Sequence, residues 1–242
     1  MTTITKIIVG TILSLFMLSC NFQGDFGFGV RGNGNVQTDD REVSTDFNEI
    51  EVSRGLDVYL TQGDEVDISV EADENLMDII ITEVENNTLY IYADENITSS
   101  RSQKVFVEFT DVDRITATSG SDVFSTNVIK ANNLELHTNS GSDMELAIDV
   151  DVVECVSTSG SDLRLSGTAN IMFAEANSGS DIKAGNLKTA TCEARANSGA
   201  DITVHASLEL TAKASSGGDI KYYGDPEKVS KRDGMSGSVR KQ

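Results

Sequence analysis

Between Asp113 and Tyr222, apolar or small side chains alternate with polar ones at a period of two, and one tetrapeptide interrupts the alternation at regular intervals. Ser-Gly-Ser-Asp stands at 119–122, 140–143, 159–162 and 178–181, followed by Ser198-Gly199-Ala200-Asp201 and Ser216-Gly217-Gly218-Asp219. Successive motifs are 21, 19, 19, 20 and 18 residues apart. Aligned on the first motif residue, the other positions fall into columns. Four residues earlier stand Ile115, Leu136, Cys155, Ala174, Ala194 and Ala212, and four later Val123, Met144, Leu163, Ile182, Ile202 and Ile220. The columns between are mostly polar: Arg114, Glu135, Glu154, Phe173, Glu193 and Thr211, then Thr116, His137, Val156, Glu175, Arg195 and Lys213. After the motif come Phe124, Glu145, Arg164, Lys183, Thr203 and Lys221. Period two is the signature of strands with one face turned inward. A motif returning at this interval predicts one unit of strand, Gly-bearing corner and strand, with a further short strand such as 147–150, stacked on itself. Antiparallel neighbours in a β-sandwich would not hold one motif in constant register. The predicted fold is therefore all-β, a parallel β-helix with coils of about 18–21 residues stacked roughly 4.8 Å apart.

The plan extends backward, because Ile50, Val52, Gly55, Asp57, Val58 and Leu60 occupy the same offsets with Arg54 in place of the first motif Ser. The solenoid is expected over 46–225. Within it, 61–113 is expected to stack as less regular coils carrying alternating runs at 66–70, 88–92 and 105–109 and a turn of helix near 74–80. Gly224-Asp225-Pro226 breaks the last strand, and the polar, basic stretch 226–242 is expected to be a cap or a frayed tail.

The N-terminus gives an address. Residues 1–19 hold Lys6, an apolar run from Ile7 to Leu18, and Ser19 before Cys20, the pattern of a secretory signal too short for a permanent span. Met17-Leu18-Ser19-Cys20 resembles the lipobox of bacterial lipoproteins. That resemblance implies cleavage before Cys20, lipidation of its sulfur and attachment to a membrane, and Asn21 rather than Asp after it implies the outer membrane or cell surface. The competing reading is an ordinary secretory signal followed by a chance Cys. Residues 20–45 are Gly-rich and read as a flexible tether. Within them Gly27-Phe28-Gly29-Val30-Arg31-Gly32 matches a dinucleotide-loop string, but it lacks the strand before and the helix after that such a site needs.

Charge narrows the partners. With 39 acidic against 19 basic residues, a formal charge of -20 excludes a nucleic-acid footprint. Composition implies no cofactor. The only two His, His137 and His205, fall on different strands three coils apart, so no His–carboxylate dyad, nucleophile–base pair or metal-spaced cluster assembles from them. A polysaccharide-cleaving enzyme working through carboxylates from adjacent coils remains the alternative to a non-catalytic surface module that contacts glycan or protein. Cys155 and Cys192 share the inward face two coils apart, beyond disulfide reach, and are expected to be free, buried thiols.

The sharpest chemical feature is a carboxylate ladder: Asp57, then Asp122, Asp143, Asp162, Asp181, Asp201 and Asp219. It has three readings: turn residues bonding their own corner, a row that collects cations, or a row that touches a partner. Thr118, Asn139, Thr158, Asn177, Asn197 and Ser215 form a second polar ladder just before the motif.

Taken together, Gly55-Leu56-Asp57-Val58-Tyr59-Leu60-Thr61-Gln62-Gly63, the stretch Val70-Glu71-Ala72-Asp73-Glu74-Asn75-Leu76, the Ser-Gly-Ser-Asp ladder and the Gly-Asp-Pro ending resemble the head-GIN-domain putative adhesin family over residues 46–239. The resemblance implies a right-handed parallel β-helix on an envelope lipoprotein, and it brings no catalytic residues.

Overall fold

The computed structural model of the chain describes residues 29–44, 46–234 and 236–242. The expected signal segment 1–19 and Cys20 lie outside the described residues. The strands are β1 (Val30–Arg31), β2 (Val36–Asp40), β3 (Glu49–Val52), β4 (Asp57–Gln62), β5 (Asp67–Asp73), β6 (Ile80–Glu85), β7 (Thr88–Ala93), β8 (Ile97–Ser99), β9 (Gln103–Phe109) and β10 (Arg114–Ala117). They continue with β11 (Asp122–Thr138), β12 (Asp143–Thr158), β13 (Asp162–Asn177), β14 (Asp181–Asn197), β15 (Asp201–Ala214), β16 (Asp219–Tyr223), β17 (Lys228–Asp233) and β18 (Ser238–Lys241). One 3-10 turn, Glu74–Leu76, stands where a helical turn is expected.

From β10 onward every neighbour is parallel, and the repeat columns become ladders in space. Asp122 pairs with Asp143, Asp143 with Asp162, Asp162 with Asp181, Asp181 with Asp201, and Asp201 with Asp219. The solenoid predicted from the motif spacing is therefore the observed fold. The unequal coil lengths are absorbed at bulges, for example between Phe124 and Val128 and between Ala184 and Lys188. Inward columns such as Ile115, Leu136, Cys155, Ala174, Ala194 and Ala212 are buried and form one continuous core.

The corners explain why the motif repeats. Seven pairs, Arg54-Gly55, Ser119-Gly120, Ser140-Gly141, Ser159-Gly160, Ser178-Gly179, Ser198-Gly199 and Ser216-Gly217, have positive φ at both residues. Two consecutive left-handed residues make a type I′ turn, closed in the first repeat by the Ser121 N–H donating to the Thr118 carbonyl at 3.4 Å. Corners also bond to one another. The Gly120 N–H donates to Ser140 O, Gly141 to Ser159, Gly179 to Ser198 and Gly199 to Ser216, at 3.1–3.2 Å. Backbone donors are thus used at four of the places where the sheet bends.

Two expectations need correction and a third is narrowed. Residues 61–113 are not simply irregular coils in sequence order. The chain passes back under its own first coil, so that β7 pairs with β3 and β9 with β4, both parallel. It then returns to place β10 on the other side of β3. The outer edge of this lowest coil is covered by antiparallel partners, β6 on β7 and β5 on β9. A solenoid end left bare would recruit other chains, and antiparallel strands close it. Second, the described part of the expected tether is paired: β1 lies beside β8, and β2 runs antiparallel to β5. Asp73 holds it there. This fully buried carboxylate accepts from the N–H groups of Gly34 at 2.8 Å, Arg101 at 3.1 Å and Ser102 at 3.2 Å. Third, of the cap and the frayed tail left open for 226–242, the structure has the cap, and it is a further coil with β17 on β15 and β18 on β16. Its inward columns keep Val229 and Val239 but also carry Lys231, whose Nζ lies 4.6 Å from the Tyr222 ring centre, and Lys241, paired with Asp225. Charge entering the inward columns finishes the stack.

Candidate functional site

Each of the four Ser-Gly-Ser-Asp corners carries a buried Ser and a partly exposed Asp, and the structure assigns the bonding to the Ser. Ser121, Ser142, Ser161 and Ser180 are fully buried. The Ser121 hydroxyl donates to Thr118 O at 2.6 Å and Ser180 to Asn177 O at 2.9 Å, while Ser142 reaches the coil below through Ala117 O at 2.8 Å. Ser161 donates to Thr158 O at 2.8 Å and accepts from the Thr158 N–H at 3.2 Å. The second polar ladder is also bonded in part, with Thr158 donating to Asn139 at 3.0 Å.

The Asp ladder is placed as the register predicts, but Asp162 does not bond its own corner. It accepts from Arg164 at 2.6 Å and from Lys183 at 2.9 Å, and Lys183 also reaches Asp181 at 3.0 Å. These carboxylates hold the Lys183 ammonium above its ordinary pKa. The lower rungs lack such threading. Burial, and then the neighbouring Asp143 and Asp57 charges, push the Asp122 carboxyl up; burial also raises Asp57, against the pull of Lys104. Asp201 and Asp219 continue the row, Asp219 accepting from Ser238 at 2.6 Å. Among the described residues no group of three or more His, Cys, Asp or Glu converges as a metal site.

The histidines are apart, as expected, although His137 does approach a carboxylate the sequence reading did not pair with it: Nε2 lies 4.0 Å from Glu135. Glu135 is already engaged by Arg114 at 2.6 Å, which also binds Glu49 at 3.0 Å. Cys155 and Cys192 are free and buried in the core. Burial, chiefly, pushes the Cys192 thiol up to about 12 and Cys155 higher still, so neither supplies a thiolate nucleophile.

Aromatic side chains on the outside include a stacked set and a lone ring. Phe106, Tyr59 and Phe124 are in-register neighbours whose rings stack at 5.2 and 5.3 Å. Both faces of Tyr59 are covered by its neighbours. Phe173 is different: it is 42% exposed, and its row neighbours on the adjacent coils are Glu154 and Glu193.

Phe173 stands in a groove on the sheet that precedes the corners. One wall is the column Glu154, Phe173, Glu193, Thr211 and Ser230, and the other is Val156, Glu175, Arg195, Lys213 and Arg232. Between them Cys155, Ala174, Ala194 and Ala212 turn their side chains to the core and leave only backbone as floor. The groove comprises hollows of 320 and 230 Å³ that share Glu193 and Arg195. The wall columns are readable in the sequence, except for Ser230 and Arg232, which belong to the coil within 226–242 that carries no repeat motif.

Residues 46–226 match the family described as putative auto-transporter adhesin, head GIN domain. The chain belongs to this family. The head GIN solenoid is shared by a solved putative adhesin from Bacteroides fragilis, 24% identical with a TM-score of 0.82 over 88% of this chain and 100% of that one. A putative lipid binding protein from Parabacteroides distasonis is 25% identical at a TM-score of 0.70, covering 88% and 99%. A putative adhesin from Parabacteroides merdae is 18% identical at 0.68, covering 88% and 98%. No curated protein matches the chain.

Proposed function

We propose that this head GIN protein is a non-catalytic module of the bacterial cell envelope, lipid-anchored through Cys20 on the outer membrane, that presents the flank of its solenoid to a glycan or a surface protein. The observation that carries this reading is polarity. The described chain enters at the closed end, where β1 and β2 pack on β8 and β5. The groove lies on the coils toward the other end, and the stack from β9 to β18 spans eight spacings, roughly 40 Å at the usual strand separation. An anchor at one end and a groove toward the other suit a protein that reaches outward. The scattered His137 and His205 and the buried, inert thiols support a role without catalysis. The test is fractionation with surface labelling of intact cells. Wild type is expected in the outer membrane and accessible to antibody, and Cys20→Ser to be released or unprocessed. Identical behaviour of the two as soluble periplasmic proteins would overturn the anchoring, and depolymerisation of an acidic polysaccharide by the purified protein would overturn the non-catalytic reading.

A further inference from the structure

We propose that the groove between the Phe173 and Arg195 columns binds an acidic oligosaccharide lying along the solenoid axis, its neutral sugar over Phe173 and its carboxylate-bearing sugars against Lys213 and Arg232. The proposal rests on the reading of the protein as a binding module and gives that module a site and a ligand class.

The two halves of the groove differ in chemistry. In the first, Phe173 offers an apolar ring flanked by Glu154 and Glu193, with Glu175 across the groove from it. A ring for the apolar face of a sugar, bordered by carboxylates that accept from hydroxyl groups, is the combination a neutral pyranose needs. The stacked trio of Phe106, Tyr59 and Phe124 is built differently, its rings covering one another and both faces of Tyr59. In the second half each coil contributes a hydroxyl on one wall and a cation on the other: Thr211 opposite Lys213, then Ser230 opposite Arg232. Among the described residues Lys213 and Arg232 form no ion pair, whereas Arg164, Lys183 and Arg195 each have a carboxylate partner. Two cations one coil apart, about 4.8 Å, match charges carried on successive sugars of a chain.

Geometry selects a polysaccharide over the other linear polyanions. The groove is one residue wide, its walls two residues apart on each strand, about 7 Å, so it admits a single chain. Its floor is backbone already paired within the sheet, so an extended peptide finds no edge to join. A long nucleic acid would run on past Arg195 into Glu175 and Glu154, on a protein whose charge is -20. The same carboxylates stop an acidic glycan from sliding and set its register.

The experiment uses the purified full-length protein in detergent on immobilised oligosaccharides: oligogalacturonate with and without a terminal neutral sugar, hyaluronan and sialylated chains, with neutral chitotetraose and dextran, and a dT oligonucleotide. Carboxylated chains are expected to bind, those with acidic groups on successive sugars beside a neutral sugar best, and the neutral chains and the oligonucleotide not to. Lys213→Glu with Arg232→Glu should weaken binding at least about tenfold, the equivalent of one charge-assisted bond. Phe173→Ala should remove the preference for chains with a neutral sugar. Lys221→Glu, on the face after the corner, should change nothing. All four positions are exposed, and an unchanged melting curve verifies the fold of each variant. Equal binding of the oligonucleotide, retention of no carboxylated chain, or binding indifferent to the groove variants would each overturn the site. Surface exposure of the protein would stand in all three cases, so the failure of the groove is distinguishable from the failure of the envelope reading.

Discussion

Gly160 and Gly167 belong to the same coil, both have positive φ, and replacing each by Ala should give very different results. At Gly160 φ is 71°, and a Cβ would have nothing within 4 Å. The cost is conformational alone. A left-handed L-residue costs about 1–2 kcal/mol, and the stiffer unfolded chain returns about 0.4–1 kcal/mol. The net loss is therefore about 1 kcal/mol, or a fall in melting temperature of roughly 2–4 °C for a chain of this size. Ser159 beside it shows that a side chain can live there, at φ 58°. At Gly167 φ is 110°, far from the left-handed well, and a Cβ would fall 2.0 Å from the Ile148 carbonyl oxygen and 3.1 Å from its carbon. Backbone cannot rotate away as a side chain can. The pairing of Ile148 with Gly167 must open, at about 4 kcal/mol or more, the range of a disrupted core. Thermal and urea unfolding followed by circular dichroism would measure both, with limited proteolysis of the β12–β13 region as a second readout if Gly167→Ala is too unstable to melt cooperatively. Equal losses for the two variants, or a Gly167→Ala protein that melts like wild type, would refute the register between β12 and β13.

The corner chemistry predicts that Ser161→Ala costs about 1–3 kcal/mol, since the part-buried N–H of Thr158 loses an acceptor and the Thr158 carbonyl a donor. Asp162→Ala should cost less, at most about 1 kcal/mol, because its partners Arg164 and Lys183 are solvated; urea midpoints that reverse this order would return the corner to the Asp. Removing free Ca²⁺ with a chelator should leave the melting temperature of wild type unchanged, and a drop of several degrees abolished by Asp162→Ala would make the ladder a cation site. Asp122→Asn should stabilise the protein at pH 7. The folded carboxyl titrates above its unfolded value, so ionisation is penalised in the fold. That penalty is absent below the ordinary carboxylate range, so the advantage of Asn should vanish near pH 3, and an advantage that persists there would contradict the cause.

The repeat made the middle of the molecule legible because one residue type does one job on every coil, so six copies vote on each column. Where a position occurs once, the vote is lost. Nothing in the alternating runs at 88–92 and 105–109 says that they lie beneath 49–62 rather than above it, since strand patterning records which face is buried and not which neighbour is adjacent. One signal was available: Asn86-Asn87, both at positive φ, joins β6 to β7 as a tight hairpin. The sequence leaves a cap and a frayed tail equally open for the last coil because Met235-Ser236-Gly237-Ser238 lacks the Asp and because Lys231 and Lys241 occupy inward columns, which only Tyr222 beneath them explains. The Asp ladder stands where its spacing puts it, while the sequence leaves open which residue bonds the corner. Spacing fixes the column, but whether Ser161 or Asp162 turns inward depends on the twist of a type I′ corner. The groove follows the same division, its wall columns readable and its concavity a property of their side chains in three dimensions.

The two ends of the solenoid are made once, by the covered lower coil and by the charged upper one, and the coils between them differ little in backbone bonding. Deleting residues 162–180 would join Ser161 to Asp181 and restore a Ser-Gly-Ser-Asp corner with nineteen residues fewer. Both ends would survive such a deletion untouched, as they would a tandem duplication of the same stretch. Length is therefore a heritable variable that changes in whole coils of about 4.8 Å, and the in-frame loss or gain of one corner-to-corner segment would shorten or lengthen the stack without inventing a new core.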